Sequence, residues 1–280
     1  MQRGPIDARG VDSGLGIVVP SELVALIAED LVADLAGQHS RRTLAQGGAI
    51  EIGWPSLPFR KRRMTTVFLV DVDNTLLDND RIQRDIQEHL ERTFGPAARR
   101  RYWEIQEAMF AELGYRDYLG ALQRYRTEHP KRVELLAMTS FLMDYPFADR
   151  LYPSALEVLQ RLRSLGTTVV LSDGDVVFQP RKIERAGLSG AVDGHVLIYI
   201  HKEDALDDIE RRYPAAHYVL VDDKLRILTA VKRVWGPGVT TVFPRQGMYA
   251  DPGTIGSFPP ADVTIERIGD LLDCDLPTPG

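Results

Sequence analysis

Four short apolar runs constrain this chain more than anything else in it. Val67-Phe68-Leu69-Val70 runs into Asp71-Val72-Asp73-Asn74-Thr75, and Val169-Val170-Leu171 runs into Ser172-Asp173-Gly174-Asp175. Ile198-Tyr199-Ile200 runs into His201-Lys202, and Val219-Leu220-Val221 runs into Asp222-Asp223. Each run is rich in β-formers and is the length of a buried strand. Between and around them the spacing predicts helices. One opens at Tyr152-Pro153, carries Leu156, Leu159 and Leu162 and stops at Gly166; others cover residues 180–186, 203–212 and 224–235, and a further strand covers 239–243. Strands that alternate with helices imply parallel βαβ units, so the expected class is α/β, a doubly wound Rossmann-like parallel sheet. The ligand crevice of such a sheet lies outside the C-terminal ends of its strands. The polar residues that end the four runs therefore converge on one edge.

Asp71 and Asp73 stand two residues apart just where a strand ends. Carboxylates are rarely buried without a partner, and like charges this close need a cation or a proton between them. Mg²⁺ answers that need, because it prefers oxygen ligands and usually takes one or two carboxylates beside a phosphate. Taken alone, the five residues also fit a strand that enters a polar turn at Asn74. Asp222 and Asp223 also fit a pair of acids at a helix N-terminus. A serine after a strand, such as Ser172, is most often a turn or cap residue. It is the ordered set that favours chemistry over these separate readings.

In order and spacing, Asp71-Val72-Asp73-Asn74-Thr75, Ser172, Lys202 and Asp222-Asp223 resemble the four motifs of the haloacid dehalogenase superfamily, in its phosphatase-type branch with a helical cap. The resemblance covers Thr65 to about Val263. It implies that Asp71 attacks phosphorus and forms an aspartyl-phosphate, a known use of carboxylates. Asp73, on the same face of an extended backbone, protonates the leaving oxygen and then deprotonates water. Its backbone carbonyl joins Asp71 and the distal ligand Asp223 around Mg²⁺, with Asp222 beside Asp223 directly or through water. Ser172 offers its hydroxyl to a phosphoryl oxygen, the amides of Asp173 and Gly174 add to that cradle, and Lys202 neutralises nucleophile and phosphate. Lys182, inside a predicted helix, and Lys224 are the rivals set aside in favour of Lys202, which stands at a strand end. His201 and Asp175 are given no role. Asn74 stands where many relatives carry glycine, a change that turn geometry tolerates.

The acid at Asp73 also bears on the reaction. A halide leaves unprotonated, whereas an alkoxide needs a proton, so the expected activity is a Mg²⁺-dependent phosphatase of a small soluble phosphomonoester. A phosphomutase using the same two aspartates is the alternative. A dehalogenase and a non-catalytic binding protein of the same fold fit less well.

The chain divides into three. Residues 1–63 read as an N-terminal extension or as sequence ahead of a start at Met64. They hold one candidate helix, with Leu23, Ile27, Leu31 and Leu35 between Ser21 and Gly37, and the basic run Arg60-Lys61-Arg62-Arg63. Residues 64–78 and 151–280 are the expected core. Residues 79–150 are an inserted all-helical cap: Ile82, Ile86 and Leu90 form one stripe, Tyr102, Ile105, Met109 and Leu113 another, and Leu135, Met138 and Leu142 a later one. Such a cap excludes water and chooses the substrate, and its loop Gly114-Tyr115-Arg116-Asp117-Tyr118 is a candidate reader of the leaving group.

At 280 residues, with a formal charge of −6, the chain is a poor match for a nucleic-acid backbone. No apolar run reaches the roughly 18–20 residues that span a membrane. One cysteine, Cys274, rules out an internal disulfide framework and fits a cytoplasmic protein. The expected partner is a small phosphorylated metabolite, not nucleic acid or membrane; nothing in the sequence speaks to oligomeric state.

Overall fold

The computed structural model describes residues 66–276. The expectations for residues 1–63, including the Leu23–Leu35 stripe, the basic run and the start at Met64, lie outside the described residues.

The chain forms β1 (Thr66–Val70), α1 (Asn79–Phe94), α2 (Pro96–Leu113), α3 (Tyr118–Glu128), α4 (Leu135–Asp144), α5 (Ala155–Leu165), β2 (Thr167–Asp173) and α6 (Phe178–Arg185). It continues with α7 (Leu188–Ala191), β3 (Val196–Tyr199), α8 (Leu206–Arg212), β4 (His217–Val221), α9 (Leu225–Trp235), β5 (Val239–Pro244), α10 (Pro252–Ile255) and β6 (Val263–Ile265). Every strand pairing is parallel, in the order β3-β2-β1-β4-β5-β6. The α/β doubly wound sheet is thus present.

Alternate residues of the central strands enter two different cores. Phe68, Val70, Val170, Val219 and Val221 pack on one face, and Val67, Leu69, Val169, Leu171 and Leu220 on the other. A strand covered on both faces must be apolar at every position, which is why these runs are continuous rather than alternating. The order also locates the crevice. From β1 the chain winds outward through β2 to β3, then returns to the other side of β1 to build β4, β5 and β6. The switch lies between β1 and β4, where an open sheet leaves room for a ligand. Asp71 follows β1 and Asp222 follows β4.

Residues 79–150 carry four helices and a 3-10 turn at Phe147–Arg150. Asp78 caps α1 by accepting the Arg81 amide at 2.8 Å, and Ile82, Ile86 and Leu90 are its buried stripe. Gly95, at φ 86°, ends α1 and hands over to Pro96 at the first turn of α2, where proline needs no amide partner. Gly114, at φ 79°, ends α2 in the left-handed region. The insert leaves and rejoins the sheet side by side. Asp78 donates its amide to Arg150 at 2.8 Å, Tyr152 donates to Leu76 at 2.9 Å, and Leu77 bridges Leu151. Its core is continuous with that of the sheet through Tyr118, Phe147 and Phe178, whose ring centroids lie 5.1–5.7 Å apart.

Several boundaries differ from the sequence reading. The helix expected over 203–212 is a 3-10 turn at Lys202–Asp204 followed by α8, because Ala205 leaves helical geometry at φ −109°. The helix expected from Pro180 starts two residues earlier, at Phe178, and the one expected at Tyr152-Pro153 starts at Ala155, after a left-handed Ser154. The short α7 and the three-residue β6 were not foreseen, being too short to show a period. Among the described residues no helix is long and apolar enough to cross a membrane.

Candidate active site

The two central strands deliver three carboxylates to one point. Asp71 extends the β1 ladder by donating its amide to Val221 at 3.0 Å, and Asp222 does the same to Val242 at 3.1 Å. Asp223 follows, its amide held by Thr75 Oγ1 at 3.1 Å. Asp71, Asp222 and Asp223 each place a carboxylate oxygen within 4.8 Å of the others, and all three residues are buried.

Their partners are unequal. Lys202 Nζ is bonded to Asp71 Oδ1, lies 2.6 Å from Asp222 Oδ2 and donates to the Leu171 carbonyl at 3.3 Å. Asp222 Oδ1 accepts the Lys224 amide at 2.8 Å. Asp71 Oδ2 and both oxygens of Asp223 accept nothing. A helix-capping acid would accept backbone amides. Asp222 does so in part, but Asp223 does not. The capping reading of the pair therefore fails for Asp223, and its orphaned oxygens fit a cation.

Electrostatics agree. Burial raises the pKa of Asp71, with Lys202 opposing. Burial raises that of Asp223 well above its ordinary value, with Lys224 opposing. For Lys202, burial works against the charge, but Asp222 and Asp71 outweigh it and hold the ammonium far into its charged form. The same contest, with Asp223 and Asp71 as the acids, raises Lys224. Asp71, Asp222 and Asp223, with Asp173 beside them, still outnumber Lys202 and Lys224 in this dry site, and a divalent cation offsets the excess of negative charge.

The strand-end residues of β2 and β3 surround this cluster. Ser172 is buried; its Oγ accepts from Gln179 Nε2 at 2.8 Å and approaches its neighbour's carbonyl at 3.3 Å. Asp173 Oδ1 accepts the Lys202 amide at 2.8 Å and so fixes the turn that aims Lys202. Burial raises the pKa of Asp173 too, with Lys202 opposing. Gly174 corrects the sequence reading. Its amide donates to the Tyr199 carbonyl at 2.9 Å, extending the β2–β3 ladder, and is not free for phosphate. Glycine is needed there for another reason, since a Cβ would lie 2.7 Å from the Gln179 side chain.

Asp73 is a quarter exposed, and its carboxylate is held by Lys182 Nζ at 2.7 and 2.9 Å, with Gln179 Nε2 at 3.4 Å. Lys182, buried, also reaches Asn79 Oδ1 at 3.4 Å. Asn74 takes φ 59°, the left-handed turn geometry asparagine tolerates, and its amide group exchanges hydrogen bonds with Asp80. Gln246 Nε2 ties down the Asn74 and Thr75 carbonyls at 3.0 and 2.8 Å.

Setting Lys182 and Lys224 aside missed half of the arrangement. Lys202 does stand at Asp71, but Lys182 holds Asp73, and Lys224 lines the cavity above Asp223. The signal was available: a helix that opens just past a strand's C-terminal end presents its first turns to the crevice. Gln179 and Lys182 are three residues apart on α6, hence on one face.

Above the carboxylates lies a cavity of about 60 Å³. Asp73, Asp173, Asp223, Lys182 and Lys224 form its core side, and Arg116 and Tyr118 of the insert form the opposite side. Asp71, Ser172, Lys202 and Asp222 lie beneath this lining, each with at most 2% of its surface exposed.

A family model described as haloacid dehalogenase-like hydrolase matches residues 65–234. A protein of Burkholderia xenovorans LB400, described as a haloacid dehalogenase-like hydrolase, is 62% identical over 76% of this chain and 99% of its own, with a TM-score of 0.73. The L-2-haloacid dehalogenase of Xanthobacter autotrophicus with chloropropionic acid covalently bound is 16% identical, over 74% of this chain and 97% of its own, with a TM-score of 0.52. The HAD-hydrolase YfnB of Bacillus subtilis, bound to magnesium, is 13% identical over 75% and 98%, with a TM-score of 0.53. At these last two identities the likeness is one of fold. No curated protein matches the sequence.

Proposed function

The chain belongs to the haloacid dehalogenase-like hydrolases, and within them we propose that it is a Mg²⁺-dependent phosphatase acting on a small phosphorylated metabolite. One observation carries this reading: a buried carboxylate triad in which Asp71 Oδ2 and both Asp223 oxygens have no partner. Asp71, Asp223 and Asp222, with the Asp73 carbonyl, would hold the ion. When bound it would supply positive charge to offset the repulsion between an anionic nucleophile and an anionic phosphate.

The protein's own groups then divide the work. Lys202 is bonded to Asp71 Oδ1 and orients the carboxylate. Attack by Asp71 on phosphorus forms the aspartyl-phosphate and breaks the bond to the leaving alkoxide. Asp73, on the cavity wall, gives that oxygen a proton, then takes one from the water that cleaves the acyl-phosphate. To do so it must exchange its contact with Lys182 for the leaving group. Ser172 and Lys202 hold phosphoryl oxygens. The helical insert acts as a cap: with the nucleophile sealed beneath a small cavity, substrate enters only when the insert moves away.

The test is a release assay with purified protein over phosphomonoesters and over 2-chloropropionate, with Mg²⁺ and with EDTA. Phosphate release that EDTA abolishes and Mg²⁺ restores is expected. Halide release, or phosphate release undiminished without metal, would overturn the reading.

A further inference from the structure

The lysines of this site differ in how many of their donors are engaged. An ammonium has three N–H donors and no acceptor. Lys202 Nζ has three oxygens within 3.3 Å: Asp71 Oδ1, Asp222 Oδ2 and the Leu171 carbonyl. Lys182 Nζ also has three, the two Asp73 oxygens and Asn79 Oδ1, within 3.4 Å. Both side chains are buried, and either lysine must release a contact before it can take a phosphoryl oxygen. Arg116, the other cation of the cavity wall, is paired with Glu107 at 3.0 Å. Lys224 is different. It is partly exposed and lines the cavity together with Asp73, Asp173 and Asp223. Among the described residues its Nζ has no ion-pair or hydrogen-bond partner; what it meets is the face of the Tyr249 ring, 5.7 Å from the centroid.

The local fold does not ask for a lysine there. Residue 224 is the N-cap of α9, with extended backbone at φ −108° and ψ 101°. Its amide donates to Asp222 Oδ1 at 2.8 Å, and its carbonyl accepts the amides of Ile227 and Leu228 at 2.9 and 3.1 Å. Those bonds are made by the backbone and need no lysine side chain. An N-cap side chain ordinarily accepts an amide of the first turn, which an ammonium cannot do. A positive charge at this end of a helix also opposes the dipole. The acids of the site attract the ammonium, yet it makes an ion pair with none of them. A cation set against local preference, in the lining of a ligand cavity and with all its donors free, marks a functional position.

We propose that Lys224 is a catalytic residue that holds the phosphoryl group, donating hydrogen bonds to its non-bridging oxygens. This rests on the phosphatase reading above. The group in transfer spreads negative charge over three oxygens, and an ammonium already in place stabilises that charge. Lys224 keeps its three protons throughout. The bond that Asp71 forms to phosphorus and the bond that breaks to the leaving alkoxide are those already given. The rival role is that of a counter-ion, in which Lys224 only tempers the repulsion among Asp71, Asp222 and Asp223. The two roles part once Mg²⁺ is bound, because a counter-ion is then redundant and a phosphoryl ligand is not.

The experiment uses the full-length protein at saturating Mg²⁺ and compares wild type with Lys224→Gln. Calorimetry with inorganic phosphate is set beside kinetics on ethyl phosphate and phenyl phosphate. Loss of one charge-assisted contact should weaken phosphate binding by about 10- to 100-fold and lower kcat/KM by a similar factor. That factor should be the same for both esters, since they share the phosphoryl group and differ in the leaving group. Lys224→Arg, which keeps the charge, should recover part of the loss on both readouts. Phosphate affinity unchanged at saturating Mg²⁺ would overturn the proposal and make Lys224 a counter-ion. A loss confined to one ester, with phosphate affinity kept, would assign Lys224 to the leaving group and overturn it too. If the wild type hydrolyses neither ester, the phosphatase reading falls, yet phosphate binding that Lys224→Gln weakens upholds Lys224 as the residue that holds the anion. Absence of phosphate binding to the wild type in that case overturns both. Should Lys224→Gln fail to fold, Lys224→Ser, whose hydroxyl can cap α9, decides by the same phosphate affinity.

Discussion

At the scale of single residues, the proposed mechanism divides the labour between Asp71 and Asp73, and their surroundings let the division be tested. Asp71→Asn removes the nucleophile from beneath Lys202, and turnover should fall by many orders of magnitude. Asp73→Asn keeps the nucleophile and keeps an oxygen for Lys182. With an alkyl phosphate its deficit should be about 10²–10⁴-fold, the usual contribution of a general acid–base. With an aryl phosphate, whose leaving group is a stable anion, the first step should lose less. The acyl-phosphate should then accumulate as a mass increase on the intact protein. Substantial turnover by Asp71→Asn, or equal losses on both esters with no adduct from Asp73→Asn, would remove these roles. The residues that end strands were legible because burial and charge conflict there: nothing but chemistry or a turn explains Asp71-Val72-Asp73 after four apolar residues. Lys182 and Gln179 carry a weaker signal, because on a helix they look like any solvated polar residue, and only the place of α6 just past the end of β2 turns them toward the crevice. Gly174 was misread for the opposite reason. A glycine after a strand suggests a free amide, and only the β2–β3 register shows that Tyr199 has taken it.

At the scale of elements, the alternation of strands and helices was readable because each strand is apolar at every position and each main helix has a stripe. Short pieces such as α7 and β6 lack a full period, so only tertiary pairing defines them. The tie between the two ends of the insert was also hidden, since its parts lie far apart in the sequence. Asp85 of α1 is bonded to the Tyr145 hydroxyl, which follows α4. It also accepts from Arg150 Nη2 at 2.8 Å and from Arg81 at 2.9 Å. Burial opposes the charge on Asp85, but Tyr145 and Arg150 outweigh it, and its pKa lies below the ordinary 3.8. A depressed carboxylate adds stability above its unfolded pKa and loses it as pH falls through the folded one. Asp85→Asn should therefore lower stability by about 1–2 kcal/mol near neutral pH, the scale of hydrogen bonds to a charged group that is partly exposed. The gap to wild type should shrink below about pH 4. Denaturant melts at two pH values check this; a gap that does not change with pH would show that the site acts through packing alone.

At the scale of the whole molecule, the carboxylate triad sets function against stability. The sheet places Asp71, Asp222 and Asp223 at its switch point, where they are dry and near one another, and Lys202 and Lys224 together carry one charge too few to offset all three. Without a cation the folded chain carries this strain, while the unfolded chain, with its acids in water, does not. If Mg²⁺ binds there as proposed, and only in the folded state, then at about 100 times its Kd it should add about 2.7 kcal/mol. For a domain of this size that is a rise in Tm of roughly 5–10 °C. Asp223 is the sharpest probe, because both its oxygens are orphans. Replacing it with asparagine removes a buried carboxyl group that has no partner and should leave the metal-free protein as stable as wild type or more so. The same substitution should abolish most of the Mg²⁺-induced shift and most of the activity, with activity partly restored at high Mg²⁺. A thermal melt of both proteins, each with EDTA and with Mg²⁺, gives four values. If Asp223→Asn melts lower than wild type in EDTA and still gains the full shift from Mg²⁺, then Asp223 supports the fold and does not hold the ion. If it loses the shift while holding its Tm, the strain at the sheet's edge is what the cation relieves.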